Sequence, residues 1–362
     1  MADAEAGQTT SSARRSSATV SAVAILLGKS DRAYCTDMLP KVSRTFALAI
    51  RLLPSELEHT VLIAYLLCRV ADTIEDSTSL PNDRKIQLLK QFRRCLEANG
   101  PDATPLAQAF EFPKNDEEEL AKNADVVLRE FRRTSDEEQA AVRPWVQEMC
   151  DGMADFTARS STQSGERVHL LGTVDELENY CYYVAGTVGH LLTDLFNVSS
   201  LEITPEHYQS LKPLATSFGL GLQLTNIIKD VADDRDRGWS FVPKELFDNA
   251  NIPPEELHHP ERRSEARKMM QVLIDKAQRH LDDALLYCTR LPRSQYRMRM
   301  FCLTSLYFAV RTLRLATSDP KLLEPGYKVK ISRPEVYRTV AATAVVAPSN
   351  TLVNGYFKFL VG

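Results

Sequence analysis

No run of about 18 apolar residues occurs in this chain, so no membrane-spanning helix is expected. The nearest approach, Val340 to Ala347, is ended after two turns by Pro348, Ser349 and Asn350. There is no C-x-x-C pair and no glycine-rich dinucleotide fingerprint. The seven cysteines (Cys35, Cys68, Cys95, Cys150, Cys181, Cys288 and Cys302) are odd in number and widely scattered. That pattern argues against a disulfide framework or a zinc site and reads as reduced thiols in core positions. Net charge is small, −4 from 44 basic and 48 acidic residues, which leaves no electrostatic footprint for nucleic acid. The first twenty residues lack a secretory apolar stretch, and Asp3 and Glu5 argue against a transit peptide. Residues 1–21 therefore read as a disordered tail, and the location as cytoplasmic.

What the chain does have is helical periodicity. Apolar residues recur at three- and four-residue intervals, as in Leu53, Leu57, Val61 and Ala64, then Phe218, Leu222, Ile227 and Val231, then Leu303, Leu306, Val310 and Leu313. Breaks at Pro54, Ser79 to Asn82, Asn99 to Pro105, Pro113, Pro205, Gly238 to Pro243, Pro292 and Asp319 to Gly326 divide it into about ten helices. None is long enough for an interdomain linker. The expectation is an all-α fold with one unit over residues 22–350 and a C-terminal tail over 351–362.

The helix predicted after Pro54 runs through an apolar stretch into Asp72-Thr-Ile-Glu75-Asp76. At 100° per residue, Tyr65, Arg69, Asp72 and Asp76 fall within about 60° of one another on one face. Paired carboxylates there repel each other and lose hydration if buried. Such a spacing alone fits a helix end meeting solvent, but a second one exists. In Gln223-Leu-Thr-Asn226-Ile-Ile-Lys229-Asp230-Val-Ala-Asp233-Asp234, the residues Gln223, Asn226, Asp230 and Asp234 again share a face. Two acidic faces opposed across a cavity can hold hard divalent cations that bridge to phosphate, and Mg²⁺ fits best. Such a cluster lets an allylic diphosphate ionise, with Arg44, Arg69, Lys229 and Arg235 taking up remaining phosphate charge.

Between these motifs lies Tyr180-Cys-Tyr-Tyr183-Val-Ala-Gly186-Thr187-Val-Gly189. Its glycines are unfavourable in a helix and point to close packing or a break beside a cavity. Tyr180, Tyr183 and Thr187 share a face on ordinary helical spacing.

The chain resembles the squalene and phytoene synthases over roughly Tyr34 to Arg333. The resemblance rests on Val42-Ser43-Arg44-Thr45-Phe46, on the two acidic motifs and on the tyrosine motif, all four in the family's order. It implies helices around a central cavity, with Asp72, Glu75, Asp76, Asn226, Asp230 and Asp234 as Mg²⁺ (or Mn²⁺) and diphosphate ligands. Ser43, Arg44, Phe46, Tyr65, Arg69, Tyr183, Gln223, Asn226 and Tyr307 then become substrate contacts, and Tyr180 handles protons or stabilises a carbocation. Phe301 to Tyr307 is similar to the apolar helix beside the second half-reaction. Lys328-Val-Lys330-Ile-Ser332-Arg333 is similar to a basic segment associated with NADPH, so Arg44, Arg69, Lys229, Lys330 and Arg333 are expected to serve phosphate. The activity implied is head-to-head condensation of two farnesyl diphosphates through presqualene diphosphate, with NADPH reduction to squalene. NADPH rests on the resemblance alone. Two alternatives stay open: a phytoene or dehydrosqualene synthase without NADPH, to which the Gly-Thr-Val-Gly ending and Val231 to Arg235 lean, and a non-catalytic assembly factor on this fold. A monomer with peripheral membrane contact for product release completes the expectation.

Overall fold

The computed structural model of the protein describes residues 30–162, 169–236 and 239–362, without the side chains at 44, 160–162, 169–170, 233–236 and 239. The expected tail over 1–21 lies outside the described residues, as do the side chains of Arg44 and Asp234.

The architecture is all-α. In chain order the helices are α1 (Asp31–Val42), α2 (Arg44–Ile50), α3 (Ser55–Asp76), α4 (Asn82–Cys95), α5 (Thr104–Ala109), α6 (Asp116–Lys122), α7 (Ala124–Phe131) and α8 (Asp136–Thr162). There follow α9 (Val174–Cys181), a π-helical turn (Tyr182–Gly186), α10 (Thr187–Ser199), α11 (Pro205–Asp236) and α12 (Lys244–Ala250). The chain closes with α13 (Arg263–Arg290), α14 (Tyr296–Ser318), α15 (Arg333–Val346) and α16 (Asn350–Val361). Among the described residues the only β-structure is a two-residue parallel pair, His169–Leu170 with Trp239–Ser240, which ties the entry of α9 to the exit of α11.

More helices form than the expected ten or so, partly because residues 104–131 break into three short ones. Asn115 caps α6 by accepting from the Glu118 amide at 2.8 Å, and Asn123 stops it by bonding back to the Glu119 carbonyl at 2.8 Å.

Two long helices build the site. In α3, Glu56 and Glu58 complement the positive end of the dipole, and the middle is buried from Val61 to Leu67 except for a half-buried Tyr65. In α11 the inner face carries Leu220, Leu224, Ile228 and Val231, all buried. α11 packs most extensively on α13, and α14 adds Leu303, Leu306 and Tyr307, all fully buried, to the core. Arg299 on α14 is also fully buried, with carbonyl oxygens for partners: Cys288 and Leu291 at 2.9 and 2.8 Å, Ala347 at 2.9 Å, and the Asn350 side chain at 2.7 Å.

The segment 351–362, set apart in the sequence as a tail, is helical through Val361 in α16, which buries Val353, Phe357 and Leu360. Ser349 caps it, and the Tyr307 hydroxyl donates to the Val353 carbonyl at 3.1 Å. Its short apolar pattern is that of a helix packed on α14. All seven cysteines are buried and free. No helix of the described residues is long and apolar enough to cross a membrane.

Candidate active site

A cavity of about 800 Å³ opens between α3 and α11. Asp72, Glu75 and Asp76 line one wall, and Gln223, Asn226, Lys229 and Asp230 line the wall facing it. Ser43, Phe46 and Arg69 line it as well, and Tyr180 closes one side. Lys330 and Arg333, both exposed, form part of the lip together with Tyr337. Beneath this mouth lies an apolar pocket of about 170 Å³, walled by Val61, Ala64, Tyr65, Leu192, Phe218 and Phe301. The two spaces share Phe46, Arg69, Asp72 and Val184 as lining, so a polar mouth leads into an apolar depth.

The last turn of α3 carries three carboxylates at the negative end of the helix dipole, with no basic residue in that turn. Part of the compensation is local. Arg69 approaches Asp72 at 3.5 Å, and its Nη2 donates to the Tyr65 hydroxyl at 2.9 Å. The rest comes from Lys85 on α4, a buried lysine whose Nζ donates to the Glu75 carbonyl at 2.6 Å. This is not enough to leave the acids ordinary. Burial raises the Asp72 carboxyl to about 6 against the pull of Arg69 and with the help of Asp76. Burial, then Asp76 and Asp72, push Glu75 well above the usual carboxylate range. Burial and the same three acids push up Tyr180, whose hydroxyl donates to Glu75 Oε2 at 3.4 Å. On the facing wall Lys229 hydrogen-bonds Asp230.

This donor set suits a hard divalent cation. Every candidate ligand presents oxygen, Arg69 and Lys85 only partly offset the crowded acids, and the buried Nε of Arg69 has no hydrogen-bond partner. Among the described residues, no three acidic, histidine or cysteine side chains already surround a single point.

Two expected contacts are not brought to the cavity. Tyr183 lines neither space: the π-turn interrupts the α-helical spacing after Cys181, so Val184 faces inward and the Tyr183 ring turns toward Gly152 of α8. Tyr307 is fully buried between α14 and α16, edge-on to Tyr356 at 4.9 Å. Sequence reasoning also missed Lys85, although it lies on the face of α4 that buries Leu88, Leu89 and Phe92. It missed Phe241 and Phe156, which hold Tyr180: Phe241 stacks on its ring at 5.1 Å and Phe156 meets it edge-on at 5.4 Å. Only the tertiary fold brings those two to Tyr180.

A family model described as squalene/phytoene synthase matches residues 39–335. The chain is 30% identical over 296 residues to the squalene synthase of Schizosaccharomyces pombe, covering 82% of this chain and 62% of that one. It is 31% identical over 304 residues to squalene synthase ERG9 of Saccharomyces cerevisiae, covering 82% and 64%. The chain thus spans under two thirds of the length of these relatives. A solved complex of TcSQS with the ligand E5700 superposes with a TM-score of 0.77 at 25% identity over 91% of both chains. A dehydrosqualene synthase at 20% identity and a TM-score of 0.60, covering 91% of this chain and 97% of that one, shares the fold.

Proposed function

The chain belongs to the squalene/phytoene synthase family, and on that premise we propose that it is a squalene synthase, joining two farnesyl diphosphates head to head and reducing the product with NADPH. The observation that carries the reading is the pairing of Asp72, Glu75 and Asp76 with Asn226 and Asp230 across one mouth that leads into an apolar pocket. A diphosphate needs the first and a prenyl chain the second.

Asp72, Glu75, Asp76, Asn226, Asp230 and Asp234 would hold Mg²⁺ or Mn²⁺. Bound there, the metal supplies Lewis-acid neutralisation of the departing diphosphate. Arg69, with its unpartnered Nε, and Lys229 take up further phosphate charge. The donor C–O bond breaks with its electron pair leaving on diphosphate. The acceptor double bond supplies the pair for the new C–C bond, and loss of a proton closes the cyclopropane of presqualene diphosphate. Tyr180 receives that proton as its own hydroxyl hydrogen passes toward Glu75, and its ring, stacked on Phe241, faces the developing cation. The apolar depth keeps water from the cation. For the second half-reaction, Lys330 and Arg333, which line the lip, would meet the phosphates of NADPH, and the bound nucleotide would supply the hydride that takes the place of the second diphosphate. Among the described residues neither side chain is engaged in an ion pair.

The test is incubation with farnesyl diphosphate and Mg²⁺, with and without NADPH, followed by mass identification of extracted products. Squalene only with NADPH is the expected result. Dehydrosqualene in both reactions selects the carotenoid branch, and no C30 product overturns the assignment.

The reading extends to a monomer that works in the cytoplasm and touches a bilayer to unload its hydrocarbon. The surface for that contact is the outer side of α15 and α16, where Tyr337, Val345, Leu352 and Phe359 are exposed beside Arg338 and Lys358. Tyr337 also lines the cavity mouth. Flotation with anionic liposomes should carry the protein up, and Leu352→Asp with Phe359→Asp should abolish this. Unchanged flotation of that variant would place the contact elsewhere.

A further inference from the structure

We propose that Gly152 and Tyr183 are a positioning pair, a notch on α8 and a peg in the π-turn, that together fix how Tyr180 and Val184 face the cavity. The inference rests on the proposed condensation and adds residues that do not touch the substrate.

A π-turn is a rare deformation of a helix and persists only where its surroundings enforce it. Here the enforcement is visible on both sides. A Cβ built on Gly152 would stand 2.1 Å from Tyr183 Cγ, 2.3 Å from Cδ1 and 2.6 Å from Cβ, so the ring occupies the space of the missing side chain. On the other side a Cβ on Gly219 of α11 would stand 2.1 Å from the Ala185 oxygen. The turn is clamped between two helices, each admitting it through a glycine.

The peg cannot slide aside. The Phe156 ring stands 6.2 Å from that of Tyr183, and the Tyr182 ring 5.3 Å away. Tyr182 is itself anchored, its hydroxyl donating to Glu148 Oε1 at 2.7 Å. Glu148, Gly152 and Phe156 recur every four residues and so form one stripe of α8 directed at this motif. Two routes lead from the notch to the chemistry. Phe156 touches both Tyr183 and Tyr180, so displacing one ring presses on the other. Along the backbone, Val184 follows Tyr183 directly and lines both the mouth and the apolar pocket.

Diphosphate contacts on α3 and α11 are untouched by this pair, and Val184 is only one of many residues lining the apolar pocket, so a disturbed notch should lower kcat far more than it raises KM. Gly152→Ala is expected to reduce kcat about 10²-fold, the scale of an ångström-level misplacement, with KM within about 3-fold of wild type. The clash needs both partners. In a Tyr183→Ala background, which itself has reduced kcat, adding Gly152→Ala should therefore cost at most about 3-fold more. Equal multiplicative losses in the two backgrounds, or wild-type kcat for Gly152→Ala, would overturn the pairing. If Gly152→Ala fails to fold, Tyr183→Ala decides alone: kcat must fall at preserved KM, and amides 182–187 must exchange hydrogen faster than in wild type. Unchanged exchange refutes the peg. Wild-type turnover of farnesyl diphosphate is run alongside. Its absence would count against the proposed function, whereas the exchange measurement tests the peg without substrate.

Discussion

Replacing Asp72 by asparagine should stabilise the metal-free protein while abolishing its turnover. The native carboxyl keeps its proton up to about 6, whereas the unfolded chain releases it near 3.8. Between those values the native state binds more protons than the unfolded state. Stability therefore falls as pH rises through that window, and the full penalty stands above about 6. At about 1.36 kcal/mol per pKa unit the gap amounts to about 3 kcal/mol. The side chain is 28% exposed, and screening by that water leaves about 1–2 kcal/mol. The 3.5 Å pair with Arg69 is already included, because Arg69 lowers the same carboxyl against its burial. Urea denaturation in EDTA near pH 7.5 should find Asp72→Asn more stable by about 1–2 kcal/mol, with the advantage gone below about pH 4. Adding Mg²⁺ and inorganic diphosphate should stabilise wild type and leave the variant nearly unchanged. A variant less stable at neutral pH, or an offset independent of pH, would refute the electrostatic account of the site.

Tyr180→Phe should keep substrate affinity and lose about 10²-fold or more in turnover, read from steady-state kinetics; near-normal rates would return the residue to packing. Arg299→Met should destabilise by about 3 kcal/mol or more in urea unfolding, because at least four acceptors lose their donor; a loss below about 1 kcal/mol would mean that water replaces it. Asp31 is held below the usual carboxylate range chiefly by its hydrogen bond from Arg129. Its contribution is therefore present above the unfolded value of 3.8 and lost as pH falls through the lower native one. Asp31→Asn should cost about 1 kcal/mol or less at neutral pH and progressively less as pH falls below 3.8, checked by thermal unfolding across that range.

The parts of the site that follow from position along one helix were legible in the sequence. Asp72 and Asp76 sit four apart on α3 and Asn226 and Asp230 four apart on α11, and the structure sets both pairs on one cavity. Ser43, Lys330 and Arg333 line the same cavity. Tyr183 departs from its expected place because ordinary helical spacing does not hold through a segment that is π-helical. The glycines that enforce that turn come from α8 and α11, remote in sequence. Tyr307 failed because α16 folds back over it. Lys85 was readable, a lone cation on a buried stripe, but its purpose shows only once α4 meets the end of α3.

The fastening of α15 and α16 to the rest of the molecule has a property that follows from its chemistry. Arg299 binds their junction through the Ala347 carbonyl and the Asn350 amide, with no carboxylate among its hydrogen-bond acceptors. Carbonyls and amides do not titrate, and a fully buried guanidinium is out of reach of dissolved ions. The join should therefore hold through swings of acidity and ionic strength that loosen surface pairs such as Arg263 with Glu324. One wall of the cavity is thus hung from a bracket that the surrounding medium cannot adjust.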